Sequence, residues 1–283
     1  MMARPAGTGP LGIVAGAGSL PRRLVEACQQ SGRGAFVVAI EGQTDPATVA
    51  DADHLWVRMG QSERAISALR QAGARELVLV GAVKRPSMTE LRPDRLTFKF
   101  LARIGFNSLG DDGLLGAVVR GLEAEGFTLR GVEEFLHDLL AGEGCFGRHR
   151  PDEAAWRDIR RGIAVVRAMG AADVGQATVI QDGLVLGVEA LEGTDALLAR
   201  CGPLRRAGPG GVLVKLRKPG QERRADLPTI GVATVEGAAA AGLRGIAVEA
   251  GGTLVVDAPA VTTAADRAGL FVIGITPDRD AAP

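Results

Sequence analysis

The sequence predicts an α/β protein. Short apolar runs alternate with helical stretches, glycine-rich turns separate them, and a second set of strands begins half-way along the chain. With 283 residues the chain is long enough for one large α/β domain or two smaller ones. Apolar residues at 46% and charged residues at 23% are the balance of a globular protein that can bury a core. Cations and acids are equal at 33 each, so no basic field draws in nucleic acid, and no nucleic-acid partner is expected. Forty glycines and no tyrosine imply many tight turns and little stacking surface for bases. The three cysteines, Cys28, Cys145 and Cys201, stand far apart, without the spacing of a zinc site or a disulfide framework. No signal-peptide pattern opens the chain and no run of about 18 apolar residues occurs, so a cytoplasmic location is expected.

Each element follows in order. The run Leu11 to Val14 meets GAGSLP, and a helical pattern places Leu24, Val25 and Cys28 on one face. Ala35 to Ile40, Leu55 to Met59 and Glu76 to Val83 read as buried strands, with a helix from Gln61 to Ala72 between the last two. This alternation gives a parallel sheet covered on both faces, a Rossmann-like layout in which loops after the strand C-termini hold a ligand. Those loops are Gly16-Ala17-Gly18-Ser19, Glu41-Gly42 and Gly81-Ala82-Val83-Lys84. GAGSLP has Pro21 where the nicotinamide-cofactor fingerprint has its third glycine, and proline suits a first helical turn. Two readings of the loop stand: exposed amides that bind a nucleotide phosphate, or a tight structural turn.

Asp94 to Phe106 carries Leu96, Phe100, Leu101 and Ile104 as one apolar stripe. Gly110-Asp111-Asp112 then opens another helix, the aspartates serving either as caps or as a magnesium or sugar-hydroxyl site. Gly142 to Trp156 reads as a junction, dividing the chain into a Rossmann-like domain over 1–145 and an α/β catalytic domain over 146–283, with a cleft between them. His137 and His149 have no ligand partner nearby in sequence. A helix is expected from Asp152 to Met169, and a hairpin turns at Gln181-Asp182-Gly183. Glu192-Gly193-Thr194-Asp195 leads into a helix from Ala196 to Cys201, with Thr194 or Asp195 as its N-cap or, alternatively, with the helix start as a phosphate cradle. A small-residue helix between strands follows, and a final helix from Pro259 to Ala268 precedes the strand LFVIGI.

The run Lys215 to Gly231, KLRKPGQERRADLPTIG, gathers Lys215, Arg217, Lys218, Arg223 and Arg224 with the acids Glu222 and Asp226. Such a run is either a solvated loop or a site where cations and carboxylates share work on a phosphorylated substrate. No GxSxG elbow, Walker lysine motif, HExxH or EF-hand is present. Carboxylate, magnesium and cation chemistry remains, and phosphoryl transfer to water asks mainly for positioning and charge neutralisation.

Four segments, GxVAGAGSLP, GDDGLL, DVGQATVIQDGLVLGVEALEGTDALL and KPGQERRADLPTIGVATVEGAAAAGLRGIAVEAGG, resemble the UDP-2,3-diacylglucosamine pyrophosphatase family of the lipid A pathway. This is the type unrelated to calcineurin-like metallophosphatases, and the resemblance runs from about Leu11 to Ile275 in the family's order. It implies a magnesium-dependent hydrolase that splits UDP-2,3-diacylglucosamine into UMP and 2,3-diacylglucosamine 1-phosphate, with water as nucleophile. It implies also that the acylated substrate is enclosed between a Rossmann-like domain and an α/β domain. The aspartate before LPTIG, catalytic in the family, falls on Asp226. On that basis Asp226 ligates magnesium or orients water, with Asp195 as a second metal ligand, and Lys215, Lys218 and Arg224 neutralise charge on the diphosphate. Gly16, Ala17, Gly18, Ser19, Gly81, Ala82 and Val83 would receive uridine or ribose. Asp111, Asp112, Gln176, Glu192, Gly193, Thr194, Asp195 and Thr229 complete the substrate-binding set, and Glu222 is a weaker second acid. Gly220 stands where a bulkier residue is expected in relatives. The two acyl chains place the substrate at a bilayer, so a transient visit to the cytoplasmic face of the inner membrane is expected, with Leu96 to Phe106 as a docking or tunnel helix. A homodimer is an open option. Two rivals remain: a dinucleotide-dependent oxidoreductase using GAGSLP and Glu41, and a non-catalytic sensor of nucleotide sugars.

Overall fold

In a computed structural model the protein is mixed α/β, and the structure describes residues 9–84, 92–104 and 111–281. Two compact units emerge. The first is Met1–His137 together with Glu222–Asp226, and the second is Asp138–Gln221 together with Leu227–Pro283.

The first unit holds a five-stranded parallel sheet in the order β3-β2-β1-β4-β5, made of β1 (Leu11–Ala15), β2 (Ala35–Ile40), β3 (Asp53–Val57), β4 (Glu76–Val80) and β5 (Thr128–Leu129). This is the expected Rossmann-like layout. Strand ends differ most from expectation at β3 and β4. β3 starts at Asp53 and stops at Val57, because Asp53 and His54 pair with Phe36 and Val37 although their side chains are exposed. β4 stops at Val80, because Gly81 takes φ +94° and turns the chain. Helix α1 (Leu20–Gln30) has proline in its first turn and buries Leu24, Val25 and Cys28, the predicted face. Helices α2 (Ser62–Gln71), α3 (Arg95–Ile104) and α4 (Asp111–Ala124) follow. Leu96 and Phe100 of α3 pack against the core formed by Val38, Leu69, Leu77, Val119 and Phe127, while Phe98 on the same helix is exposed. Leu101 and Ile104 of the expected stripe lie outside the described side chains.

The second unit holds a six-stranded sheet, β6-β13-β11-β9-β7-β8, and a small parallel pair, β10-β12. Its strands are β6 (Gly144–Cys145), β7 (Ala177–Gln181), β8 (Leu184–Val188), β9 (Val212–Lys215), β10 (Thr229–Ile230), β11 (Gly245–Glu249), β12 (Leu254–Val255) and β13 (Phe271–Ile275). β9, β11 and β13 run parallel, and β7 is antiparallel to β9. The expected hairpin joins β7 to β8, with Asp182 and Gly183 both at positive φ, +53° and +76°, as a type I′ turn requires. Buried Asp158 accepts hydrogen bonds from both turn amides, at 3.1 and 2.8 Å. Asp158 lies on α5 (Glu153–Ala171), which is capped by Asp152 accepting from the Ala155 amide at 2.8 Å and buries Ile159, Ile163 and Val166 against the sheet. Helices α6 (Gly193–Cys201), α7 (Val232–Ala240), α8 (Ala258–Ala268) and the short α9 (Pro277–Asp280) complete the unit. Apolar faces of α6, α7 and α8 share one core with β7, β9, β11 and β13. Among the described residues no helix is long and apolar enough to cross a membrane.

Candidate active site

In the second unit, antiparallel pairing of β7 with β9 sets Ala177 beside Lys215, and antiparallel pairing of β7 with β8 sets Thr178 beside Val188 at the end of β8. Lys215, at the end of β9, and the residues just outside β7 and β8 meet at these strand ends. The Lys215 ammonium, on a residue only 6% exposed, donates to Thr194 Oγ1 at 2.6 Å. Thr194 in turn donates to Glu189 Oε1 at 2.5 Å, and the Lys215 nitrogen is 3.8 Å from the same oxygen. The other oxygen of Glu189 accepts from the Gln176 amide at 3.1 Å. Gln221 donates to the Gln176 side chain at 3.3 Å and accepts from the Lys218 amide at 3.0 Å. The Lys218 ammonium, also buried, sits 2.7 Å from Asp173. Gln176, Thr194, Lys215 and Lys218 are thus parts of one polar cluster. Glu189, Asp173 and Gln221 belong to it without having been singled out in the sequence. Their signal was weak, since Glu189 ended an apolar run, Asp173 followed a helix, and Gln221 was an uncharged residue among the charges of its run.

Helix α6 begins at Gly193, three residues earlier than expected, because Glu192 occupies the N-cap position. Neither Thr194 nor Asp195 is the cap: Thr194 is turned toward Glu189, and Asp195 is exposed in the first helical turn. The Glu192 carboxyl is held below the usual carboxylate range by its own backbone amide and by Arg200, 2.8 Å away. Thr229 opens β10 and donates to the Leu227 carbonyl at 3.1 Å.

In the first unit the loops after β1 and β4 are clamped together. Ala17 and Ala82 exchange backbone hydrogen bonds of 2.8 and 3.1 Å, and the Gly16 amide donates to Val80 at 2.8 Å. A Cβ on Gly16 would lie 2.5 Å from the Ala82 carbonyl oxygen, and one on Gly81 would lie 2.6 Å from that of Ala17. These glycines are required by the approach of two backbones, and the amides of Gly16, Ala17 and Ala82 are already used. Gly18, at φ +93°, and Ser19 stay exposed at the start of α1, where no side chain caps the helix; Val83 is also exposed. Asp111 and Asp112 open α4, but their side chains lie outside the described residues.

The segment Glu222–Asp226 counts with this first unit although the chain on either side of it belongs to the second. The amides of Ala225 and Asp226 both donate to the Glu222 carbonyl, at 3.1 and 2.9 Å, so Asp226 rides on a closed turn and is half-buried. Asp226 is not a helix cap, since the next helix starts at Val232 behind Gly231. Arg224 binds Glu222 through Nε and Nη2, at 2.9 and 2.8 Å, and Glu123 through Nη1 at 2.6 Å. That pairing draws the Glu222 carboxyl below its usual range and raises the already high value of Arg224.

The chain matches the model of the LpxI N-terminal domain over residues 10–139 and that of the LpxI C-terminal domain over residues 142–273. The chain belongs to the LpxI family. A relative from Caulobacter vibrioides, the UDP-2,3-diacylglucosamine pyrophosphatase LpxI, is 42% identical over 276 residues, which cover 94% of this chain and 98% of the relative. Membership in the LpxI family agrees with the resemblance carried by GAGSLP, GDDGLL and the stretch around DLPTIG.

The arrangement bears on a metal in a simple way. Among the described residues no three histidine, cysteine, aspartate or glutamate side chains converge on one point. Glu189 and Asp173 each already face a lysine ammonium. Magnesium does not need such a cage, because it is commonly held by one or two carboxylates together with substrate phosphates. A single carboxylate such as Asp226 fits that requirement.

Proposed function

We propose that this chain hydrolyses the diphosphate of UDP-2,3-diacylglucosamine, giving UMP and 2,3-diacylglucosamine 1-phosphate. The observation that carries the reading is the end-to-end match, through both LpxI domains, to a relative that bears this activity in its name. In the reaction a water oxygen forms a new bond to phosphorus while the bond from that phosphorus to the bridging oxygen breaks. The proton of the water passes to a carboxylate or to the departing phosphate. Asp226, on its closed turn, orients the water and accepts that proton. Lys215, at the end of β9, and Lys218, just beyond it, supply positive charge that grows in value as the diphosphate separates. Asp226, with Asp195 as a second candidate, would hold magnesium, which supplies charge neutralisation at the phosphates when bound. Gln176, Thr194 and Thr229 would bind the polar part of the substrate.

The two acyl chains confine the substrate to a bilayer, each buried methylene contributing about 0.8 kcal/mol. Transient contact with the cytoplasmic face of the inner membrane follows, and exposed Phe98 on α3 is a candidate contact.

The test is release of UMP from the acylated substrate by the purified protein, with and without magnesium. Asp226→Asn should lose several orders of magnitude in turnover while keeping its far-ultraviolet circular dichroism. Tight binding of the substrate with no release of UMP would replace hydrolysis by a sensing role.

A further inference from the structure

Arg224 was expected to meet the diphosphate, yet three of its nitrogen atoms are taken up by two carboxylates. We infer that Glu123 is a positioning residue for Asp226: it grips Arg224 and thereby fixes the Glu222–Asp226 tongue on the first unit. This rests on Asp226 being the catalytic carboxylate, and it adds a residue and a changed role for Arg224.

Three observations point the same way. Glu123 lies in the last turn of α4, where helix carbonyls already concentrate partial negative charge and a carboxylate is out of place. No basic side chain occurs in that turn, and the compensating cation comes from 101 positions further along the chain. The grip is also geometrically specific. The guanidinium is a planar fork, engaged on one side with both oxygens of Glu222 and at its remaining nitrogen with Glu123. Finally, the tongue is anchored beside the ion pair. Ala225 packs against the core that includes Val119 and Leu122 of α4, and the Asp226 amide donates to the Glu222 carbonyl. One residue, Ala225, separates the gripped Arg224 from Asp226, so a loosened grip displaces Asp226 directly. A displacement of about 1 Å can cost up to about 10²-fold in rate.

The experiment compares full-length Glu123→Ala, Glu123→Gln, Glu123→Asp, Arg224→Ala and the double variant Glu123→Ala/Arg224→Ala. UMP release is followed together with limited trypsin digestion, since exposed Arg223 offers a cleavage point inside the tongue. Expected are losses of roughly 10- to 100-fold in kcat for Glu123→Ala and Arg224→Ala with KM within about twofold. The double variant should be no worse than the poorer single one, because both remove one grip. Glu123→Asp should recover part of the loss, and cleavage after Arg223 should accelerate in Glu123→Ala and Glu123→Gln. Wild-type turnover and cleavage in Glu123→Ala, beside a raised KM in Arg224→Ala, would overturn the inference and return Arg224 to the substrate. Turnover retained in Asp226→Asn would sink the catalytic reading, and the positioning role with it, whatever trypsin does. A dead Asp226→Asn beside an unaffected Glu123→Ala would sink the positioning role alone.

Discussion

Lys215 leaves β9 with its ammonium bound to a threonine hydroxyl that is itself bound to Glu189, and both charged residues are buried. Removing one member of such a pair strands a charge in low dielectric, at a cost of about 3–5 kcal/mol, whereas replacing both by apolar groups of similar size is close to neutral. Glu189→Leu should therefore destabilise the protein markedly in urea denaturation. The double variant Glu189→Leu/Lys215→Met should regain most of that stability but not the turnover, because the cation is gone. A double variant with full activity would show that Lys215 only supports the fold. The cluster was half visible in the sequence. Thr194 and Lys215 stood out by type, but they lie 21 positions apart, and Glu189 looked like the last residue of an alternating strand. Glu222 offers a second prediction at this scale. Its folded pKa is depressed, chiefly by the hydrogen bond from Arg224, with Arg120 also contributing and with Glu123 on the far side of the guanidinium. Its contribution is thus fully present above the unfolded glutamate value of about 4.3 and is lost as pH falls through the lower folded value. Hydrogen exchange at the Ala225 and Asp226 amides, corrected for intrinsic rate, should stay flat from about pH 8 to pH 5 and rise only in stronger acid.

The loops after β1 and β4 show how an element can look like a ligand motif for reasons of packing. GAGSLP carries the first two glycines of a dinucleotide turn, with Pro21 in place of the third, and the strand order places it at the reversal beside β4, where such sheets bind ligands. The structure uses Gly16, together with Gly81, to bring the two loops within backbone contact, while Gly18 serves a left-handed turn at φ +93°. Nothing in a single sequence separates a glycine needed for a ligand's approach from one needed for another loop's approach. Gly81→Ala adds a side chain at φ +94° and against a carbonyl that belongs to backbone, so neither strain nor clash is easily relieved. It should lower the stability of the first unit by about 1–3 kcal/mol in thermal or urea unfolding. Gly220→Ala, at φ +79° but in open space, should cost less, about 1 kcal/mol from the left-handed backbone alone. Equal losses would argue that the loop contact contributes little. The Asp182-Gly183 hairpin is the opposite case, legible in advance because a local turn type dictates its residues.

At the scale of the whole chain, short apolar runs gave the longer strands, whereas the two-residue strands β5 and β6 are too short to carry a pattern. Such runs could not give the membership of Glu222–Asp226, since a charged run reads as solvated loop and neighbours in sequence are grouped together by default. The first unit is discontinuous, and its fifth strand and helix α4 lie close to the place where the tongue returns to it. A unit built this way is not complete in its contiguous part. A fragment of residues 1–137 retains the parallel sheet and Glu123 but lacks both Arg224 and the Ala225 contact. The half-exposed ion pair accounts for about 0.2–1 kcal/mol, and burial of the tongue adds to it, so the fragment should unfold several degrees below the same unit in the full chain. Trp56, in β3, reports on that unit once Trp156 is replaced by phenylalanine in the full-length reference. A synthetic peptide covering 218–230 should raise the fragment's midpoint as its concentration rises, and the same peptide with Arg224→Ala should do so less. If the fragment melts with the full chain and ignores the peptide, the tongue is a passenger on the first unit, and Asp226 must be fixed by something else.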